Sequence, residues 1–333
     1  MKSSLAAPMQ SAPSRPAAEE RRLRFVRRLA LACAALVLAV TSLSAYIRLS
    51  RAGLSCADWP QCYGQGLREL QQGRPATSGE GAGTAAARLA HRVVASGALL
   101  LVIAMLASAL TARPILSQQA RVAAALLALA LFLAVLGRWS SDARLPAVAM
   151  ANLLGGFVML ALCWRLAWRA EGAASAAVRA TAGLGVALLV VQVALGGLLS
   201  ASHSATSCAT GLADCLAAAR DVPIAALDPW REPQLVGTPP VNPDGALVQA
   251  VHRLCGLAAA SVLAGAGLAA LLGARRRVGA LLLVALAATL ALGLAMAAQG
   301  STLALALAHN VLAALLLVTA LELSRGPQRD VPA

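Results

Sequence analysis

The stretch Ala246-Leu247-Val248-Gln249-Ala250-Val251-His252-Arg253-Leu254-Cys255-Gly256-Leu257 decides how this chain folds. It opens an apolar run that continues to residue 272, long enough to cross a hydrocarbon layer, with a His-Arg pair near its start. A second run opens the same way, at Ala90-His91-Arg92. The chain has four histidines. Two of them open apolar runs, and His309 lies inside a third run. An imidazole at membrane depth is costly without a partner, so such residues are candidates for function. Imidazole is also a common protein ligand of heme iron. The working expectation is an all-α integral membrane protein that binds heme.

Composition agrees with that class. Of 333 residues, 59% are hydrophobic and 13% charged, with a mean hydropathy of +0.73. A soluble domain carries about 25% charged residues. The net charge of +14 does not mark a nucleic-acid-binding face, because the arginines sit between apolar runs, mostly on alternate loops. Residues 1–28 are rich in Pro, Ala and Ser, then basic (Arg21, Arg22, Arg24, Arg27, Arg28). They read as a disordered cytoplasmic tail rather than a cleavable signal peptide.

Eight apolar segments follow, near 29–49, 89–111, 121–137, 146–167, 179–201, 247–272, 278–297 and 303–323. With the basic tail inside, both termini are cytoplasmic, and residues 325–333 form a second cytoplasmic tail. Arg113, Arg121, Arg169, Arg179, Arg275, Arg276, Arg277, Arg325 and Arg329 then all fall on the inner side, as the positive-inside rule requires. The long outer loops, about 50–88 and 202–246, mix acids with bases.

The chain repeats itself. Cys56 and Cys208 are 152 residues apart, His91 and His252 161, and Asn152 and His309 157. Each half reads as a helix, a long outer loop with two cysteines, a His-Arg pair, and then three helices. The expectation is two tandem four-helix bundles of parallel orientation, 29–170 and 171–324, each able to hold a cofactor between facing helices. The pairs Gly155-Gly156 and Gly196-Gly197 suit close helix approach.

His252 opens the sixth span and His309 lies about two turns into the eighth, both at a similar shallow depth below the outer surface. Two imidazoles from one bundle suit axial ligation of a heme iron; the alternative for His309 is a core histidine bonded to a carbonyl or hydroxyl. Arg253 and Arg92 suit gripping heme propionates, with a snorkelling interfacial arginine as the bland alternative. In the first half Asn152 stands where His309 has its counterpart, and an amide is a poor iron ligand. That half has either lost its heme or holds one with an open position. Cys56 with Cys62, and Cys208 with Cys215, share outer loops and fit disulfides in an oxidising compartment. Cys33, Cys163 and Cys255 read as apolar core residues. His203 reads as a solvated interfacial residue.

These features together resemble the heme A synthase family. The resemblance rests on Tyr46-Ile47-Arg48, on Gly53-Leu54-Ser55-Cys56-Ala57-Asp58-Trp59-Pro60-Gln61-Cys62-Tyr63-Gly64, on His91-Arg92, on Gln192-Val193-Ala194-Leu195-Gly196-Gly197, on His252-Arg253 and on His309. It implies a heme b held by His252 and His309, and a heme O substrate bound in the first half through His91. One ring methyl of that substrate would be oxidised, through an alcohol, to a formyl group. It implies a multi-pass protein of the inner (plasma) membrane, working beside heme O synthase and the cytochrome oxidase assembly machinery, with an electron donor the sequence does not name. The first cysteine pair has a redox role, or lies near electron entry, in part of the family. Two positions depart from the pattern: Asn152 replaces a second histidine, and Arg88 replaces a glutamate three residues before His91. These departures motivate two rival readings, a non-catalytic heme carrier or assembly factor of the same fold, and a b-type membrane electron carrier.

Overall fold

The computed structural model describes residues 17–54, 58, 60–74, 82–140, 144–168, 174–208 and 211–326. Among the described residues eight helices are long and apolar enough to cross a membrane. They are α1 (Ala17–Arg51), α3 (Ala82–Leu110), α4 (Ser117–Ser140), α5 (Pro146–Ala167), α6 (Ala176–Ala201), α8 (Gly245–Leu272), α9 (Arg276–Gln299) and α10 (Leu303–Ser324). Two short helices, α2 (Gln65–Gln71) and α7 (Leu212–Ala219), lie in the long loops. Among the described residues no strand forms; one isolated bridge joins Val236 and Val241.

The boundaries follow local chemistry. Pro146 sits at the start of α5, where its missing N–H costs nothing. Ser175 and Thr302 cap α6 and α10 by accepting from the main-chain N–H of Val178 and Leu305. α1 begins at Ala17, so Ala17–Arg28, expected above to be disordered, is helical. Glu19 and Glu20 occupy its first turn, where the helix dipole favours anions, and five arginines follow in a stretch of good helix formers. Residues 1–16 of that expected tail lie outside the described residues, as do 327–333 of the C-terminal one.

Helix packing is compatible with two tandem bundles. α1 packs on α3 and α5, and α4 on α3 and α5, closing one ring. α6 packs on α8 and α10, and α9 on α8 and α10, closing a second. The rings meet where α5 packs on α6 and where α10 packs on α1 and α5. Small residues set the spacing: a Cβ on Gly155 would fall 2.5 Å from Leu133 of α4, and one on Gly156 2.9 Å from Thr41 of α1.

The end opposite the long loops is tied by a buried ion pair absent from the sequence reading. Arg275 Nη2 lies 2.8 Å from Glu322 Oε1, with side chains 4% and 7% exposed. Arg325 Nη1 meets the other Glu322 oxygen at 3.0 Å and donates to the Trp168 carbonyl at 3.1 Å. Arg275 is therefore a tie between α9 and α10, while Arg276 and Arg277 stay exposed.

At the long-loop end the first loop lies over the second half. Tyr63 is fully buried, and its hydroxyl accepts from the Ala205 N–H at 3.3 Å. Leu49, Ala52, Leu54 and Tyr63 pack with Ala205 and with Leu303, Ala306 and Leu307 of α10. Gln71 donates to the Pro233 carbonyl at 2.8 Å, and Arg68 to that of Gly237. A loop of the first half thus roofs the first turns of α10.

Candidate functional site

His252 lies seven residues into α8, about 10 Å along the helix. His309 lies six residues into α10, about 9 Å along. Both helices start at the long-loop end, so the two imidazoles share one depth. α8 and α10 stand diagonally in their ring, each packed on α6 and α9. Both imidazoles are half-buried.

Each imidazole is backed by a glycine of the neighbouring helix. A Cβ on Gly196 of α6 would sit 3.3 Å from His252 Cε1, and one on Gly293 of α9 3.5 Å from His309 Cε1. Each also meets a polar group four residues before that glycine. His309 Nδ1 lies 3.1 Å from the main-chain oxygen of Thr289. The Gln192 amide nitrogen lies 3.1 Å from His252 Nδ1 and 3.2 Å from Nε2. A bond from His309 Nδ1–H to the Thr289 carbonyl fixes the tautomer and leaves Nε2 with a free lone pair, the state a metal ligand needs. Sequence reasoning missed these partners. No sequence signal marks them, because Thr289 acts through its main chain and Gln192 through the choice of neighbouring helix.

Arg253 is held in the same corner. It donates to the Gly211 carbonyl and to Gln249 Oε1, both at 3.2 Å. The Gln249 amide donates to the carbonyls of Ser204 and Ala205 at 2.8 Å. Asn242 donates to the Ser202 carbonyl at 2.7 Å. The second long loop is thereby fastened to the first turns of α8. The Cys208–Cys215 disulfide is present, with Cys215 wholly buried. Cys62 is disulfide-bonded, and Cys56 lies outside the described residues.

His203 departs from the solvated reading. It adopts a left-handed backbone, φ 56°, uncommon without glycine. Its ring centroid is 5.6 Å from that of Tyr63, and its Nδ1 is buried without a hydrogen-bond partner. Burial lowers its pKa to about 4. The residue is packed between the two long loops rather than in water.

In the first half, Arg88 and His91 lie one turn apart on α3, both half-buried, while Arg92 is exposed. Asn152 is half-buried on α5, six residues from its start. α3 and α5 are again the diagonal helices of their ring. The placement repeats that of His252 and His309 with an amide in place of one imidazole. Among the described residues no group of three or more His, Cys, Asp or Glu gathers as a bare metal site; the imidazoles come as a pair.

A heme fits what the second half offers. The donors are two imidazoles from diagonal helices. Gly196 and Gly293 leave the rings room, and a buried amide oxygen, Gln192 Oε1, has no partner within the protein.

Comparison with known proteins points the same way. The chain is 33% identical over 194 residues to heme A synthase of Shewanella oneidensis, a stretch that makes up 54% of this chain and 57% of that relative. The chain thus matches somewhat more than half the length of that curated relative. The sequence profile of the COX15-CtaA family, described as cytochrome oxidase assembly protein, matches residues 27–321, which reach from within α1 to within α10 and so touch all eight long helices. The chain belongs to the COX15-CtaA family of cytochrome oxidase assembly proteins.

Proposed function

We propose that this protein is a heme A synthase of the inner (plasma) membrane, oxidising a ring methyl of heme O to a formyl group for cytochrome oxidase. The observation that carries the proposal is the paired placement of His252 and His309. They sit at one depth on diagonal helices, each backed by a glycine and met by a polar partner.

In this reading residues 171–324 hold the cofactor, a heme b, and residues 29–170 the substrate heme. A bound heme supplies one-electron redox chemistry. The protein's part is to bind, orient and exclude. His252 and His309 hold the cofactor iron, and His309 is kept in the ligating tautomer by the Thr289 carbonyl. Arg253, fastened by donor contacts on Gly211 and Gln249, places a guanidinium beside His252, where it suits a propionate. In the first half His91 holds the substrate iron and Asn152 faces it as a weak partner. Arg92 grips a propionate at the rim. Arg88 stands where the family has a carboxylate, so it orients the substrate through a propionate rather than moving protons. The arginine distribution supports cytoplasmic termini. Heme O synthase and the oxidase assembly machinery are the partners this chemistry requires.

The test is product analysis. Purified protein given heme O, a reductant and oxygen should yield hydroxylated heme O and then heme A on chromatography. Unchanged heme O beside a stably bound, fast-cycling heme b would favour the electron carrier. Heme O bound and released unchanged would favour the heme carrier.

A further inference from the structure

α6 and α8 interlock through a reciprocal pair of gaps. His252 of α8 lies over Gly196 of α6, and Gln192 of α6 lies over Gly256 of α8, where a Cβ would fall 3.0 Å from the amide nitrogen. On each helix the polar residue and its glycine are four apart, hence on one face. The helices run antiparallel, so each polar side chain meets the other helix's glycine. The first half lacks the device. Four residues after His91 comes Ala95, and the residue 152 positions before Gln192 is Val40. The interlock is therefore confined to the half with two imidazoles, and general helix packing does not account for it.

The amide is incompletely satisfied. Its nitrogen is nearly equidistant from the two ring nitrogens, 3.1 and 3.2 Å. A group so placed lies across the ring rather than in line with either nitrogen's lone pair. Gln192 Oε1 is buried and has no partner. A buried amide oxygen left alone forfeits the hydrogen bonds it made in water, and such atoms call for a missing donor. Turning the amide about its terminal bond exchanges its oxygen and nitrogen. The oxygen then takes the nitrogen's place beside Nδ1, and a turn of the His252 ring as Nε2 takes up iron brings the Nδ1–H into line with it.

We propose that Gln192 is the positioning residue of His252, its amide oxygen accepting from Nδ1–H when Nε2 holds heme iron. It does for His252 what the Thr289 carbonyl does for His309, and the two partners occupy equivalent places, four residues before the glycine that backs each ring. The proposal rests on the reading of His252 as an iron ligand. The acceptor holds the ring plane and sets how strongly the imidazole donates to the metal.

The experiment compares the full-length holoprotein with Gln192→Met and Gln192→Glu, which fill the same gap over Gly256. The readouts are the reduction potential and the low-spin electron paramagnetic resonance signal. Gln192→Met removes the acceptor, weakens imidazole donation and should raise the potential. Gln192→Glu offers a stronger acceptor and should lower it. Loss of heme from Gln192→Met with retention in Gln192→Glu supports the proposal equally, since only one of them can accept. A potential and signal unmoved in both variants overturn it, as does equal loss of heme from both, which makes Gln192 a packing residue. A holoprotein with no low-spin signal overturns the ligand reading as well, and so separates the two failures.

Discussion

His309 Nδ1 and the main-chain oxygen of Thr289 stand 3.1 Å apart, across the contact of α10 with α9. A carbonyl can only accept, so the nitrogen facing it carries the proton and Nε2 is left bare. This relationship separates a ligand from a core histidine. The sequence allowed His309 to spend its ring on a carbonyl as an ordinary core residue. The structure shows that bond made with Nδ1, while Nε2 remains available. Gly293→Leu should displace the imidazole, since even a Cβ there would lie 3.5 Å from Cε1. The expected outcome is loss of heme from purified protein with helix content kept, measured by the heme-to-protein absorbance ratio and circular dichroism.

The first half should hold its heme differently. With His91 present and Asn152 in place of a second imidazole, iron there should be five-coordinate or carry a weak sixth ligand such as water. A high-spin signal should accompany the low-spin one. Asn152→His should convert it to low spin. Two low-spin hemes in the unaltered protein would refute the open position.

The Arg275–Glu322 pair should matter to stability. Glu322→Ala leaves a buried guanidinium without its carboxylate, at a cost of about 3–5 kcal/mol. Arg275→Met combined with Glu322→Leu removes the buried pair, leaves only the more exposed Arg325 without its carboxylate, and should recover most of that loss. Thermal unfolding in detergent of the single and double variants checks it. Equal loss in both would mean the charge pair is not what holds this end.

His203 predicts acid sensitivity of the roof. Its pKa falls from 6.5 in the unfolded chain to about 4 in the folded protein. Above about pH 6.5 it is neutral in both states and contributes no pH dependence. Between there and about pH 4 the unfolded state binds the proton first, so stability declines as pH falls. Proteolysis of the 202–242 loop should therefore speed up over that window. His203→Asn should flatten the dependence. An unchanged profile in the variant would exclude His203 as the cause.

Hydropathy made most of the fold legible. All eight spans were visible as apolar runs, and α5 begins and ends where its composition placed it, between Pro146 and Ala167. Helices that extend into polar sequence were underestimated. α1 starts twelve residues before its apolar run and α3 seven before its own, because arginine and alanine favour helix as strongly as leucine does. Of the site, the histidines could be found from their rarity in apolar sequence. Their partners could not. Thr289 acts through a carbonyl that every residue has. Gln192 stood within a quoted motif, but its role depends on which helix packs against it. Glu322 passed unnoticed inside the last run because its cation, Arg275, lies across a helix boundary and reads as part of a surface triplet. Tyr63 and His203 meet only because one half's loop crosses to the other.

The central claim is that His252 and His309 hold one iron between them. The most direct measurement is low-temperature electron paramagnetic resonance of purified protein beside His252→Ala and His309→Ala. The account predicts a low-spin ferric heme signal in the unaltered protein, lost in each variant, because a two-imidazole clamp fails when either ring is removed. An unchanged low-spin signal in either variant would contradict it.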